Sequence, residues 1–272
     1  MVGGIGLTTR CNVLGVSIST LDQRNVVEQA IRAARDRRPL SVSALAVHGI
    51  MVAIQDKTLR YRINALDINT ADGQPVRWAV NLLCRAGMRE RVYGPDLMLA
   101  LCTRARDNNI SIFLYGCTTA LLTALEKNLM AAIPDLKIAG MQASRFRSAS
   151  EEEQIDDLRR IQQSEAGIIF VGLGCPRQEI WAFENTADLS IPVIAVGAAF
   201  AYHAGELSEP PRWMMRYGLQ WLFRLAQEPL RLWRRYLLLN PLYLFLLFLQ
   251  ATGLRRFRLE SSLETVAPVR PG

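Results

Sequence analysis

The sequence predicts an α/β fold: a mostly parallel sheet flanked by helices, followed by a C-terminal helical appendage suited to a membrane surface. Two observations carry that reading. From Asn12 to about Ala204, short Val- and Ile-rich runs alternate with amphipathic stretches. Strands buried on both faces read as near-continuous apolar runs, and strand–helix alternation implies parallel pairing. The last quarter of the chain then changes character. Residues 207–272 hold ten arginines against four glutamates, although the whole chain of 272 residues carries only +7. The expected division is an α/β domain over 1–207 and a basic, apolar appendage over 208–272. That length is enough to bury a sizeable core.

In chain order, the predicted strands are 12–18 (NVLGVSI), 40–47 (LSVSALAV), 110–116 (ISIFLYG), 167–174 (GIIFVGLG) and 191–198 (IPVIAVGA). Thr20 with Gln23 has the spacing of a capping box opening a helix to about Arg37. Further helices are expected over 74–85, 95–106, 118–131, 151–164 and 176–186. Glu151, Glu152 and Glu153 fit an acidic first helical turn better than a metal site. In parallel sheets of this kind ligands bind beyond the carboxyl ends of the strands, so residues just after strands are the ones to read for chemistry.

Composition removes several function classes. The five cysteines (Cys11, Cys84, Cys102, Cys117, Cys175) are scattered and show no C-x-x-C spacing. They read as free thiols in a reducing compartment, not as a disulfide frame or zinc site. Only two histidines are present, and no D-x-D occurs, so no metal site and no cofactor is expected. The N-terminus lacks a charged region followed by a long apolar run, so no signal peptide is expected.

Three strand-end loops carry candidate chemistry. In NTADGQPV, Asp72-Gly73 forms a tight turn and Pro75 suits the first turn of a helix. Asp72 either caps that helix or faces the cleft as a proton acceptor. In RVYGPDL, Gly94-Pro95-Asp96 is again a turn into a helix, and Arg91 just before it can reach a phosphate. Asp96 itself reads as a first-turn acid, and a solvated surface arginine is the plain alternative for Arg91. In VGLGCPRQE, Gly172 and Gly174 let a ligand approach the backbone, and a helix N-terminus near Pro176 favours anions. Gln178 and Glu179 either hydrogen-bond a ligand or sit in that helix's first turn.

Together, ADGQPV, YGPDL, GCPRQE, AVGAAF and PPRWMMRYGLQWLFRLAQEPLRLWRR resemble, in order and spacing, the WecG/TagA/CpsF family of bacterial glycosyltransferases. The resemblance runs from about Leu14 to Tyr236. Its most specific part is G-L-x-W-L-x-R-L followed by E-P-x-R-x-x-R. The resemblance implies a Rossmann-like, inverting enzyme that moves a sugar from a UDP-sugar to a polyprenyl-diphosphate-linked glycan acceptor at the cytoplasmic face of the membrane. The products would be cell-surface polysaccharides. By the same resemblance Asp72 is the general base. Ser43 stands where the family has a threonine, beside the active site, and Leu45 where it commonly has an asparagine. Arg91 lies near the diphosphate, Gly174 and Gln178 in a binding loop, and Arg224, Arg231 and Arg234 over the leaving group.

These residue types suit the chemistry. A sugar hydroxyl needs a base as it attacks, and a departing diphosphate needs cations or helix N-termini where no metal is supplied. Arg224, Arg231 and Arg234 are expected on one helical face. Residues 236–253 (YLLLNPLYLFLLFLQATG) approach the length of a membrane span, but Asn240-Pro241 and Gln250 favour a segment lying on the anionic surface. A span, and a core helix pair packed on the sheet, are the alternatives. From other classes, a non-catalytic membrane-bound scaffold for polysaccharide assembly and a soluble nucleotide-binding homo-oligomer remain open. Nucleic acid is disfavoured, because the cations are interleaved with leucine runs. Which sugar and which acceptor are used is not written in the residues.

Overall fold

A computed structural model describes residues 9–145 and 150–259. The part of the expected appendage beyond residue 259 lies outside the described residues. The chain opens with β1 (Arg10–Val13) and β2 (Val16–Ser19). It continues through α1 (Gln23–Arg35), β3 (Leu40–Leu45), α2 (Val47–Gln55), α3 (Lys57–Ala65), β4 (Ile68–Ala71) and α4 (Gln74–Cys84). Next come α5 (Gly94–Asp107), β5 (Ile112–Gly116), α6 (Thr119–Ala132), β6 (Ile138–Gln142), α7 (Glu151–Gln163) and β7 (Ile168–Gly172). The α/β part ends with α8 (Arg177–Leu189), β8 (Pro192–Ala195) and α9 (Ala199–His203). The C-terminal helices are α10 (Arg212–Arg216), α11 (Gln220–Gln227) and α12 (Pro229–Arg234), then a π-helical turn (Arg235–Leu239) and α13 (Asn240–Ala251).

Six strands form one parallel sheet in the order β4-β3-β8-β7-β5-β6, flanked by helices on both faces, a Rossmann-like α/β architecture. The strand period of two divides the core. Val42, Ile112, Leu114, Ile168, Phe170 and Ile194 face α1, α5 and α6. Their neighbours Phe113, Tyr115, Ile169, Val171 and Val193 face α7 and α8. Each such side chain contributes about 1.5–3 kcal/mol by leaving water.

The fold corrects several expectations. The run 12–18 is not one sheet strand. Leu14-Gly15 turns it into the antiparallel hairpin β1–β2, outside the main sheet, because both residues adopt positive φ. The cap of α1 is Asp22, whose carboxylate accepts from the Asn25 N–H at 2.8 Å, while the Thr20 hydroxyl donates to the Thr9 carbonyl. Strand β6 and helices α2 and α3 were not anticipated, β4 was implied only by the strand end read before Asp72, and the Arg91 loop follows helix α4 instead of a strand. The free-thiol reading fails for two cysteines: Cys11 and Cys84 form a disulfide. They are 73 residues apart in sequence, and only the packing of α4 on β1 brings them together. Cys102, Cys117 and Cys175 are not disulfide-bonded. The acidic turn at 151–153 is a helix start, with Ser150 and Glu153 forming a capping box.

The C-terminal helices close on the α/β part from one side. Tyr243, Leu246 and Leu247 of α13 are buried in the cluster built by the hairpin, α2, α3 and α4. Gln250 pins α13 to the hairpin: its carbonyl accepts from the Leu14 N–H at 2.8 Å and its amide donates to the Asn12 carbonyl at 2.9 Å. The outer face of α13 carries exposed Leu244, Phe245 and Phe248. Continuous helical backbone from Pro229 to Ala251 is long and apolar enough to cross a membrane, with about 24% of it buried.

Candidate active site

A cleft of about 1000 Å³ opens at the carboxyl ends of β3, β4, β7 and β8. Its floor is made by the loops that leave those strands, and α11 and α12 stand over it. A crevice outside the strand ends is where an open α/β sheet leaves backbone groups and helix N-termini unpaired and facing one space.

Asp72 follows β4 directly and lines this cleft. It does not cap α4, whose cap is Gly73 with no side-chain bond. Instead its Oδ1 accepts from the Gly94 N–H, the first residue of α5, at 2.8 Å. The carboxylate is thereby fixed against a neighbouring helix N-terminus. A charged carboxylate held at a cleft wall can accept a proton from a bound hydroxyl.

Beside it lies a buried polar triad. Glu179 and Ser43 are fully buried, and Gln178 nearly so. The Ser43 hydroxyl donates to Glu179 Oε1 at 3.0 Å, and the Gln178 amide donates to the same oxygen at 2.9 Å. Burial pushes the Glu179 carboxyl upward, partly offset by hydrogen bonds from Gln178, Ser43 and Cys175. Gln178 Oε1 has no partner within the protein and sits where a Cβ on Gly197 would lie 3.1 Å away. Gln178 and Glu179 line the cleft, whereas Ser43 stands behind Glu179. Gly174, at φ +77°, also lines it, and nothing stands within 4 Å of where its Cβ would be.

Further lining residues are cationic. Arg91 stacks 4.2 Å over the Tyr93 ring, and its Nη1 donates to Gln220 Oε1 at 2.6 Å. Arg224 of α11 lies 5.8 Å from the Tyr202 ring and 3.5 Å from Glu228. Tyr93 and Tyr202 meet edge to face at 6.2 Å, so one aromatic pair carries both guanidiniums. Arg91 Nη2 and Arg224 Nε are buried without a hydrogen-bond partner in the protein. Buried N–H donors left unpaired are costly, and an anion in the cleft would satisfy them.

Arg231 lines the cleft from α12 but is 64% exposed and pairs with Glu228 at 2.6 Å. Arg234 is not among the cleft-lining residues; its guanidinium lies 5.2 Å from the Trp233 ring. The three tail arginines do not share one helical face, because the chain breaks between α11 and α12 at Glu228 (φ −132°, ψ 59°). Leu45, fully buried in the core beside α2, is part of the lining. Sequence reasoning missed Tyr93, Tyr202 and Gln220. Tyr93 had a local signal inside YGPDL and Gln220 one at an unspecified position of G-L-x-W-L-x-R-L, whereas Tyr202 had none. Among the described residues no group of three His, Cys, Asp or Glu side chains is placed to hold a metal ion.

A Rossmann-like parallel sheet thus brings a carboxylate and two arginines to one strand-end cleft, an arrangement able to hold an anion beside a proton acceptor. The chain belongs to the WecG/TagA/CpsF family of glycosyl transferases, whose model matches residues 11–257. It is therefore a glycosyltransferase, and membership implies a role in cell-surface polysaccharide synthesis.

Proposed function

We propose that this enzyme moves a sugar, with inversion, from a UDP-sugar to a polyprenyl-diphosphate-linked glycan acceptor at the cytoplasmic face of the cell membrane, without a divalent metal. The observation that carries the reading is the presence in one cleft of the Asp72 carboxylate and the unpartnered N–H groups of Arg91 and Arg224. Asp72 takes the proton of the acceptor hydroxyl as its oxygen attacks the anomeric carbon. The bond to the β-phosphate oxygen breaks on the opposite face of the sugar, and UDP leaves with the electron pair. Arg91 and Arg224 donate to the departing diphosphate, and Arg231 adds positive charge at the rim. Gln178 Oε1 accepts from a ligand hydroxyl, and the open backbone at Gly174 allows close approach.

The tail supports the membrane part. The exposed face of α13 is apolar, and Arg255, Arg256 and Arg258 follow it, suited to anionic headgroups. A peripheral position fits better than a span, because crossing the bilayer would pull Tyr243, Leu246 and Leu247 out of the core and break the Gln250 bonds to the hairpin. The test is mass spectrometry of lipid-linked products after incubation with a panel of UDP-sugars. An extended product that depends on Asp72 supports the reading. No product with any UDP-sugar, from protein that still floats with liposomes, favours a scaffold.

A further inference from the structure

We propose that Gln220 is a positioning residue that latches the tail to Arg91, so that docking of α11 and presentation of Arg91 to an anionic diphosphate are a single event. This rests on the reading of the cleft as a nucleoside-diphosphate site. Gln220 is the first residue of α11. Its Oε1 accepts from Arg91 Nη1 at 2.6 Å, and its Nε2 donates to the Tyr93 hydroxyl at 2.6 Å. The amide can sit only one way. A guanidinium offers donors alone, so the carbonyl must face Arg91 and the NH₂ must face Tyr93.

The latch leaves Arg91 half used. Nη1 is held by Gln220, the guanidinium plane rests on the Tyr93 ring, and the buried Nη2 has no partner. Arg224 lies four residues after Gln220 on the same face of α11 and reaches Tyr202, the ring packed against Tyr93. One helix face thus carries both the bond that aims the first arginine and the second arginine itself. Burial keeps the Tyr93 phenol neutral, so the latch adds no charge next to the cation. A glutamate at position 220 would pair with Arg91 directly and oppose an incoming phosphate, whereas an amide orients Arg91 and leaves its charge available.

The experiment uses the full chain and calorimetric binding of UDP, pyrophosphate and uridine. Gln220→Ala should weaken UDP and pyrophosphate roughly tenfold, the scale of one hydrogen bond to a charged group, and leave uridine unchanged. Gln220→Glu should weaken both anions at least as much, although it keeps the size and polarity of the side chain. Combining Gln220→Ala with Arg91→Lys should cost less than the two changes summed. A Glu-specific protease should cut at Glu206 and Glu209 faster in Gln220→Ala, because the helix beyond that segment is less firmly docked. Full anion affinity in Gln220→Glu, or additive losses, overturns the proposal. Wild-type protein that binds neither UDP nor pyrophosphate overturns the diphosphate reading instead, and an unchanged cleavage rate then removes the latch as well.

Discussion

The two walls of the cleft are built in different ways. The sheet wall comes from residues at strand ends, and its polar groups are held within about one turn of a buried element. Asp72 is fixed by the Gly94 N–H, and Glu179 by Ser43 and Gln178. The tail wall comes from short helices with little core of their own; α11 buries no residue completely and α12 only Leu232. Arg224 and Arg231 are held by Glu228 within the tail itself, and Arg224 also lies over the Tyr202 ring. In the proposed mechanism proton transfer, which needs a fixed geometry, falls to the first wall, and the second adds Arg224 to the positive charge of Arg91.

The largest effect should come from the fixed wall. Asp72→Asn keeps the shape of the side chain and its bond to Gly94 but cannot accept a proton. Turnover should fall by about 10²-fold or more, with little change in donor affinity. Near-normal turnover would reduce Asp72 to a helix-binding carboxylate and remove the asymmetry between the walls.

On the tail wall the arginines should differ among themselves. Arg224→Ala removes a buried donor and should lower kcat/KM roughly tenfold or more. Arg231→Ala removes an exposed charge already paired with Glu228, so its loss should stay within about threefold. Steady-state kinetics on a water-soluble acceptor reads both. Equal losses would mean that exposure does not rank these groups.

Membrane attachment should separate from catalysis along the same line. Cutting the chain after Ser208 is a poor test, because it strips Tyr243, Leu246 and Leu247 from the core. Replacing the exposed Leu244, Phe245 and Phe248 with serine leaves those contacts in place. Liposome flotation should be lost while turnover on the soluble acceptor changes by less than about twofold, since only exposed apolar area is removed. Retained flotation would place the membrane contact elsewhere. Excess EDTA should likewise leave the rate within about twofold, because guanidinium bonds to a diphosphate need no ion. Loss restored by magnesium would end the metal-free reading.

The same contrast explains what could be read in advance. Strands β3, β5, β7 and β8 were legible because they are apolar on both faces. Strand β4 (INTA) was legible only as the strand end implied before Asp72, because it is four residues long and carries the polar Asn69 and Thr70, both buried. The Asp72 turn was legible from Asp-Gly followed by Pro, a local signal. The Arg91–Gln220–Tyr93 contacts join residues 127 to 129 apart, and no spacing rule reaches that far. The Cys11–Cys84 disulfide was hidden for the same reason. Seven- and three-residue spacing suggested one face for the tail arginines, but nothing in the spacing announces the break at Glu228.

The smallest effect probes the inner side of the fixed wall. Burial raises the Glu179 carboxyl above its ordinary value, so the folded protein keeps a proton that the unfolded chain releases above about pH 4.3. Between that pH and the raised value the native state binds more protons than the unfolded state. Stability therefore falls as pH rises through this window, by at most about 1.4 kcal/mol per pH unit for one group. Glu179→Gln retains a carbonyl that can accept from Ser43 and Gln178 but cannot ionise. The difference in Tm between Glu179→Gln and the parent should shift in favour of the variant as pH rises from 5 to 8. Parallel Tm profiles would mean that Glu179 is already ionised in the fold, and that Ser43 and Gln178 hold a buried carboxylate.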